Sequence, residues 1–125
     1  MRRLTLLAAA FTVIAGGASA QDYPSRPVTV IVPFTAGGPT DTVARLVAEP
    51  MTRVLGQQVL VENVGGAGGT LGAARVAKAS PDGHTLLLHH IGQATSPFLY
   101  RKLPYDTATA FVPVGLIADV PMTLV

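Results

Sequence analysis

Glycine, rather than a charged or nucleophilic side chain, marks where this 125-residue chain is equipped for chemistry. Two clusters stand out, Phe34-Thr35-Ala36-Gly37-Gly38 and Gly65-Gly66-Ala67-Gly68-Gly69. The first follows the apolar run Val28–Val32 and Pro33, and Pro39-Thr40-Asp41 comes next. The second follows Val59-Leu60-Val61-Glu62-Asn63-Val64, and Thr70 opens a helical pattern after it. Backbone N–H groups at a helix start lack intrahelical partners and carry partial positive charge, so such a turn holds an anion without Lys or Arg. Two in one small domain point to a pocket for a carboxylate or a phosphate. The plainer reading of each is a βα loop that needs glycine for a tight turn.

Other chemistries find less support. Gly66-Ala67-Gly68 would begin a dinucleotide fingerprint only with glycine at position 71, which is Leu. No Gly-Lys-Ser/Thr follows either cluster, so a nucleotide-triphosphate loop is excluded. Of His84, His89 and His90, the last two are adjacent and as strand residues point to opposite faces, and no cysteine or further histidine is available to complete a zinc site, so no metal or cofactor is expected. The stretch from His90 to Gln93 follows the third expected strand and is a second-rank candidate for touching a ligand. For catalysis there is no Gly-x-Ser-x-Gly elbow, no thiol and no paired carboxylates. Asp41, at a helix start, reads as a cap or a loop brace. The enzymatic alternative is a small exported hydrolase using Asp41 and a histidine.

The elements that must position these loops alternate. After an extended lead-in (21–27), a strand is expected at 28–32, apolar throughout as in a parallel sheet. A helix over 40–55 places Val43, Leu46, Val47, Met51, Val54 and Leu55 at helical spacing, capped by Thr40 or Asp41 and ended by Gly56. Pro50 predicts a kink or break within it. Then come a strand over 58–62, a helix over 71–78 whose Ala73, Ala74 and Ala77 permit close packing, and the turn Ser80-Pro81-Asp82-Gly83. A strand over 84–88, a short helix over 97–102 and a fourth strand over 111–118 complete the pattern. Such alternation predicts a layered α/β fold with a mostly parallel sheet, binding its ligand at the carboxyl ends of the strands.

The first 20 residues read as an export signal. Met1-Arg2-Arg3 is basic, Leu4–Ala15 is apolar, and Ala18-Ser19-Ala20 is an A-x-A cleavage site. Without Arg2 and Arg3 the Lys and Arg count drops from 9 to 7, against 7 acidic residues. The remainder is formally neutral, with no basic cluster for nucleic acid and no basic amphipathic face for a membrane. The expected address is the periplasm. The apolar run over 120–125 stops without turn, cap or polar tail, which raises the expectation of a longer parent protein.

Several ordered motifs resemble one family. They are Tyr23-Pro24-Ser25-Arg26-Pro27, Pro33-Phe34-x-Ala36-Gly37-Gly38-x-x-Asp41, and Val61-Glu62-Asn63 with Gly66-Ala67-Gly68-Gly69. Two more are Pro81-Asp82-Gly83-x-Thr85-Leu86 and Leu99-Tyr100-Arg101-Lys102-Leu103-Pro104-Tyr105-Asp106. Together they resemble the Bug-type periplasmic substrate-binding proteins of tripartite tricarboxylate transporters. That resemblance implies a two-lobe, type II periplasmic-binding-protein fold of which this chain holds an incomplete first lobe (21–118), with 119–125 starting the crossing to the second. It implies capture of a small organic carboxylate and delivery to membrane permease subunits, with no reaction catalysed. The two loops that grip the carboxylate in that family correspond to Phe34, Thr35, Ala36, Gly37 and Gly38, braced by Asp41, and to Gly66, Ala67, Gly68, Gly69 and Thr70. Backbone of Ala36, Gly37, Gly68 and Gly69, with the Thr70 hydroxyl, is the expected donor set. A truncated remnant that binds nothing is the remaining alternative.

Overall fold

The structure, a computed structural model, describes residues 23–119. The expected export signal (1–20) and all but the first residue of the 119–125 stretch lie outside the described residues. Three strands and three helices alternate: β1 (Val28–Val32), α1 (Pro39–Leu55), β2 (Val59–Asn63), α2 (Thr70–Ala77), β3 (Thr85–Leu87) and α3 (Gly92–Leu99). A single 3-10 turn, Ala67–Gly69, leads into α2. The sheet is parallel with order β2-β1-β3, so β1 is central. That position accounts for its unbroken apolar run: Val28 and Val32 are fully buried and Ile31 is 1% exposed.

The chain passes from β1 to β2 on one side, then crosses back to β3 on the other. Right-handed crossovers in both directions put α1 and α2 on opposite faces of the sheet. Accordingly α1 packs on β2 and β1, and α2 on β3 and β1. The reversal of direction opens a crevice at the carboxyl ends of β1 and β3, where α/β sheets take ligands.

Small residues set the layer spacing. Ala44 and Ala48 are the buried apolar positions of α1, with Met51 and Leu55 half-buried beside them. Leu46 and Val54, expected on the packed face, are 70% and 85% exposed. The inner stripe runs through 41, 44, 48, 51 and 55, and Leu46 lies opposite it at 100° per residue. Pro50 does not break α1, which runs unbroken from Pro39 to Leu55. The carbonyl deprived of its partner belongs to exposed Leu46, where water can satisfy it. Thr52 joins helix to sheet: its hydroxyl donates to the Ala48 carbonyl at 2.9 Å and accepts the Val59 N–H at 3.0 Å. Gly56 ends the helix at φ +67°, as expected.

Two further expectations shift. The helix placed over 97–102 forms at Gly92–Leu99, with Pro97 inside it. Pro97 cannot donate to the Gln93 carbonyl, and the Ser96 hydroxyl does so instead at 3.0 Å. The strand expected over 111–118 is absent: that stretch carries no regular structure, and Val112, Val114 and Leu116 are all exposed. A strand needs a neighbour for its N–H and C=O groups, and no described strand pairs with this segment.

At the amino ends of the strands the lead-in is clasped to the bend before β3. The Tyr23 hydroxyl donates to the Gly83 carbonyl at 2.7 Å, and Arg26 pairs with Asp82 at 2.9 Å. The Tyr23 ring also meets buried His84 edge-on, 5.1 Å between centroids.

The tightest helix–sheet contact is at Gly72. A methyl group there would lie 2.7 Å from Pro33 Cβ and 2.8 Å from the Val64 carbonyl oxygen. Gly72→Ala should cost about 1–3 kcal/mol by forcing α2 off the sheet. Urea unfolding would show it as a lower midpoint at unchanged slope; an unchanged midpoint would refute the tight seat.

Candidate functional site

The first glycine loop is built around one carboxylate. Pro39 occupies the first helical position of α1, and extended Gly38 stands at the N-cap with no side-chain cap. Asp41, in the first turn, reaches back one residue further than a capping box would. Its Oδ2 accepts the Gly37 N–H at 2.8 Å and Arg45 Nε at 3.0 Å, and its Oδ1 accepts Asn63 Nδ2 at 3.0 Å. Asn63 also donates to the Phe34 carbonyl at 3.1 Å, while its own Oδ1 accepts from Arg45 at 3.2 Å. Asp41 is therefore a brace rather than the N-cap. Only 3% of it is exposed, and the Arg45 guanidinium, with the Gly37 amide, holds its carboxyl down at about 2. A carboxylate so held is a poor general base, which weighs against a hydrolase.

The second loop winds left-handed. Gly66, Ala67, Gly68 and Gly69 all have positive φ, from +46° at Ala67 to +126° at Gly66. Glycine makes such a run affordable, since only Ala67 carries a Cβ. The loop closes on itself: the Gly69 N–H donates to the Gly66 carbonyl at 3.0 Å and the Thr70 hydroxyl to the Ala67 carbonyl at 2.9 Å. The two loops touch, because a Cβ on Gly65 would sit 3.5 Å from the Phe34 carbonyl carbon and 3.6 Å from the Thr35 nitrogen.

This geometry revises the donor set. The Gly37 N–H, expected to meet the ligand, is taken by Asp41 of α1, and the Gly69 N–H and the Thr70 hydroxyl proton are taken by carbonyls of the second loop. Gly38 donates to Thr35 in a long 3.4 Å contact. The N–H groups of Thr35 and Ala36 in the first loop, and of Gly65, Gly66, Ala67 and Gly68 in the second, have no acceptor among the described residues, and all six residues are exposed. Unpartnered amides on two adjoining backbones are uncharged donors of the kind that can meet an anion.

The third strand supplies an aromatic wall. Phe34 stacks on His90 at 4.4 Å and 13°, and meets His89 edge-on at 5.3 Å. A Cβ on Gly68 would strike the Tyr100 hydroxyl, so α3 and its end close over the second loop. Gln93, at the start of α3, has both side-chain polar atoms out of solvent and unpartnered among the described residues. Arg45, Asn63, His89 and Tyr100 were not among the expected site residues. Arg45 was detectable four residues after Asp41, and Asn63 as the polar end of an apolar strand; His89 and Tyr100 carry no comparable signal.

An open groove of about 690 Å³ also runs between α1 and the unpaired edge of β2, lined by Arg45, Thr52 and Leu60 among others. It follows the flank of the sheet rather than the carboxyl ends of the strands. No group of three or more His, Asp or Glu side chains is placed to hold a metal ion among the described residues.

Comparison with known proteins gives a consistent picture. Residues 43–125 match the profile described as the tripartite tricarboxylate transporter family receptor. A UPF0065 protein from the TAR-I ttuE-ttuC' intergenic region of Agrobacterium vitis is 64% identical over 115 residues, covering 91% of this chain and 33% of the relative. Among solved structures, the periplasmic binding protein BugD aligns with TM-score 0.72 and 56% identity over 74% of this chain and 31% of its own. MatC from Rhodopseudomonas palustris, solved with bound malate, aligns with TM-score 0.73 and 52% identity over 76% and 33%. The chain thus spans about a third of the length of the relatives it matches.

The Asp41 brace has a pH signature. Its folded pKa, about 2, lies below the ordinary 3.8, so its stabilisation is complete above about pH 4 and is lost as pH falls toward 2. The stability difference between the native chain and Asp41→Asn should shrink across that window in urea unfolding. A carbon-13 titration placing the Asp41 midpoint near 4 would show the brace is not formed.

Proposed function

Since this chain belongs to the tripartite tricarboxylate transporter family of receptors, we propose that it forms the ligand-gripping loops of a periplasmic protein that captures a small organic carboxylate. In this reading residues 21–118 are the first of two lobes, residues 1–20 direct export and are removed, and the loaded protein docks on membrane permease subunits. The observation that carries it is the set of unpartnered amides on the two adjoining glycine loops, among them those of Thr35, Ala36, Ala67 and Gly68. A carboxylate is an acceptor-only group with two oxygens, which suits a surface of unpartnered amide donors. The family and the malate-bound neighbour support the same ligand class.

Such a surface suits a receptor that must both bind and release. It neutralises charge with dipoles rather than a buried cation, so the liganded loops do not hold a salt bridge that is costly to break. Nothing in it attacks the ligand: binding energy serves affinity and closure of the lobes.

Calorimetry and thermal unfolding of the purified gene product test this against malate, succinate, citrate, benzoate, glucose and spermidine. One or more acids should raise Tm, with about 2.7 kcal/mol of stabilisation at a hundredfold excess over Kd. Gly68→Ala should weaken that acid at least tenfold, because the new methyl strikes the Tyr100 hydroxyl and disturbs the second loop. A well-folded protein shifted by glucose or spermidine and by none of the acids would overturn the proposal.

A further inference from the structure

The loop after β3 holds two imidazoles in one tautomer. The His90 N–H donates to His89 Nδ1 at 2.9 Å, and the Gly92 N–H donates to His90 Nδ1 at 3.0 Å. A backbone amide always carries its hydrogen, so each Nδ1 presents a lone pair, and a neutral ring then bears its proton on Nε2. The His90 carbonyl also lies 3.0 Å from His89 Nδ1. A proton placed there to satisfy it would confront the amide hydrogen of His90. Burial further disfavours a charged His89, pushing its pKa below the ordinary histidine range.

Both rings are fixed in place. Phe34 stacks on one and meets the other edge-on, and the two imidazoles are themselves edge-on at 5.2 Å. His89 Nε2 reaches the second glycine loop, where it would lie 2.8 Å from a Cβ on Gly69. Neither Nε2 has an acceptor among the described residues. Arg45, the cation tied to the first loop, is engaged by Asp41 and Asn63.

We propose that His89 and His90 are the specificity-determining residues of this site, reading the second carboxylate of a dicarboxylate through neutral Nε2–H donors. The inference rests on the carboxylate reading above, with the first carboxylate on the loop amides. Two neighbouring imidazoles, edge-on at 5.2 Å, offer two neutral N–H donors for the two oxygens of a carboxylate, and Phe34 packs against both rings.

The test compares malate with 2-hydroxybutyrate, in which a methyl replaces one carboxylate, on the native protein, His89→Gln and His89→Leu. Native protein should prefer malate. His89→Leu should weaken malate about tenfold and leave 2-hydroxybutyrate within about twofold, erasing the preference. His89→Gln, which keeps a neutral donor near the Nε2 position, should restore most of it. Nitrogen-15 imidazole spectra should show protonated Nε2 and unprotonated Nδ1 for both rings. Equal losses for both acids in His89→Leu would reveal a purely structural role and overturn the proposal, as would no native preference for malate or Nδ1-protonated rings. If instead the native protein binds no acid at all, the carboxylate reading itself has failed, and the specificity proposal falls with it.

Discussion

The first glycine loop, and its junction with α1 and the end of β2, depends on the buried carboxylate of Asp41. That carboxylate joins the loop after β1, the first turns of α1 and the end of β2 through Gly37, Arg45 and Asn63. A buried ion is costly unless each oxygen finds donors, and here both do. The cost is offset by partners from three elements, so the contacts hold only when those elements are correctly docked. Asn63 extends the brace to the Phe34 carbonyl, where loop and aromatic wall meet. The first glycine loop is thus shaped by a charge buried beneath it.

The two loops reach the same end by different means. The first is held by a side-chain network brought from outside it. The second holds itself, through left-handed backbone and the Thr70 hydroxyl turned inward. Each uses some amides for its own shape and leaves others to solvent, so the polar groups that define the loop differ from those available to a ligand. Preorganisation of this kind lowers the ordering cost of binding.

That division explains what could be read from the sequence. The parallel α/β order, the glycine loops and Asp41 as a brace follow from local patterns, namely an apolar run, a glycine pair and an acid at a helix start. Which amides stay free does not. Gly37 and Ala36 look equivalent in the chain, and only the return of Asp41 onto Gly37 separates them. Leu46 and Val54 were misplaced because α1 docks through its alanines, a choice made by layer spacing rather than hydrophobicity. The stretch 111–118 has strand composition, yet composition supplies no neighbour to pair with.

The clasp of Tyr23 and Arg26 onto the bend at Asp82 and Gly83 has a practical side. It lies at the amino ends of parallel strands, whereas the glycine loops and the histidines lie at the carboxyl ends. The chain therefore enters the fold on the side facing away from the glycine loops. A fluorophore or surface linker attached just ahead of Tyr23 would leave the glycine loops pointing outward, giving the immobilised protein a defined orientation.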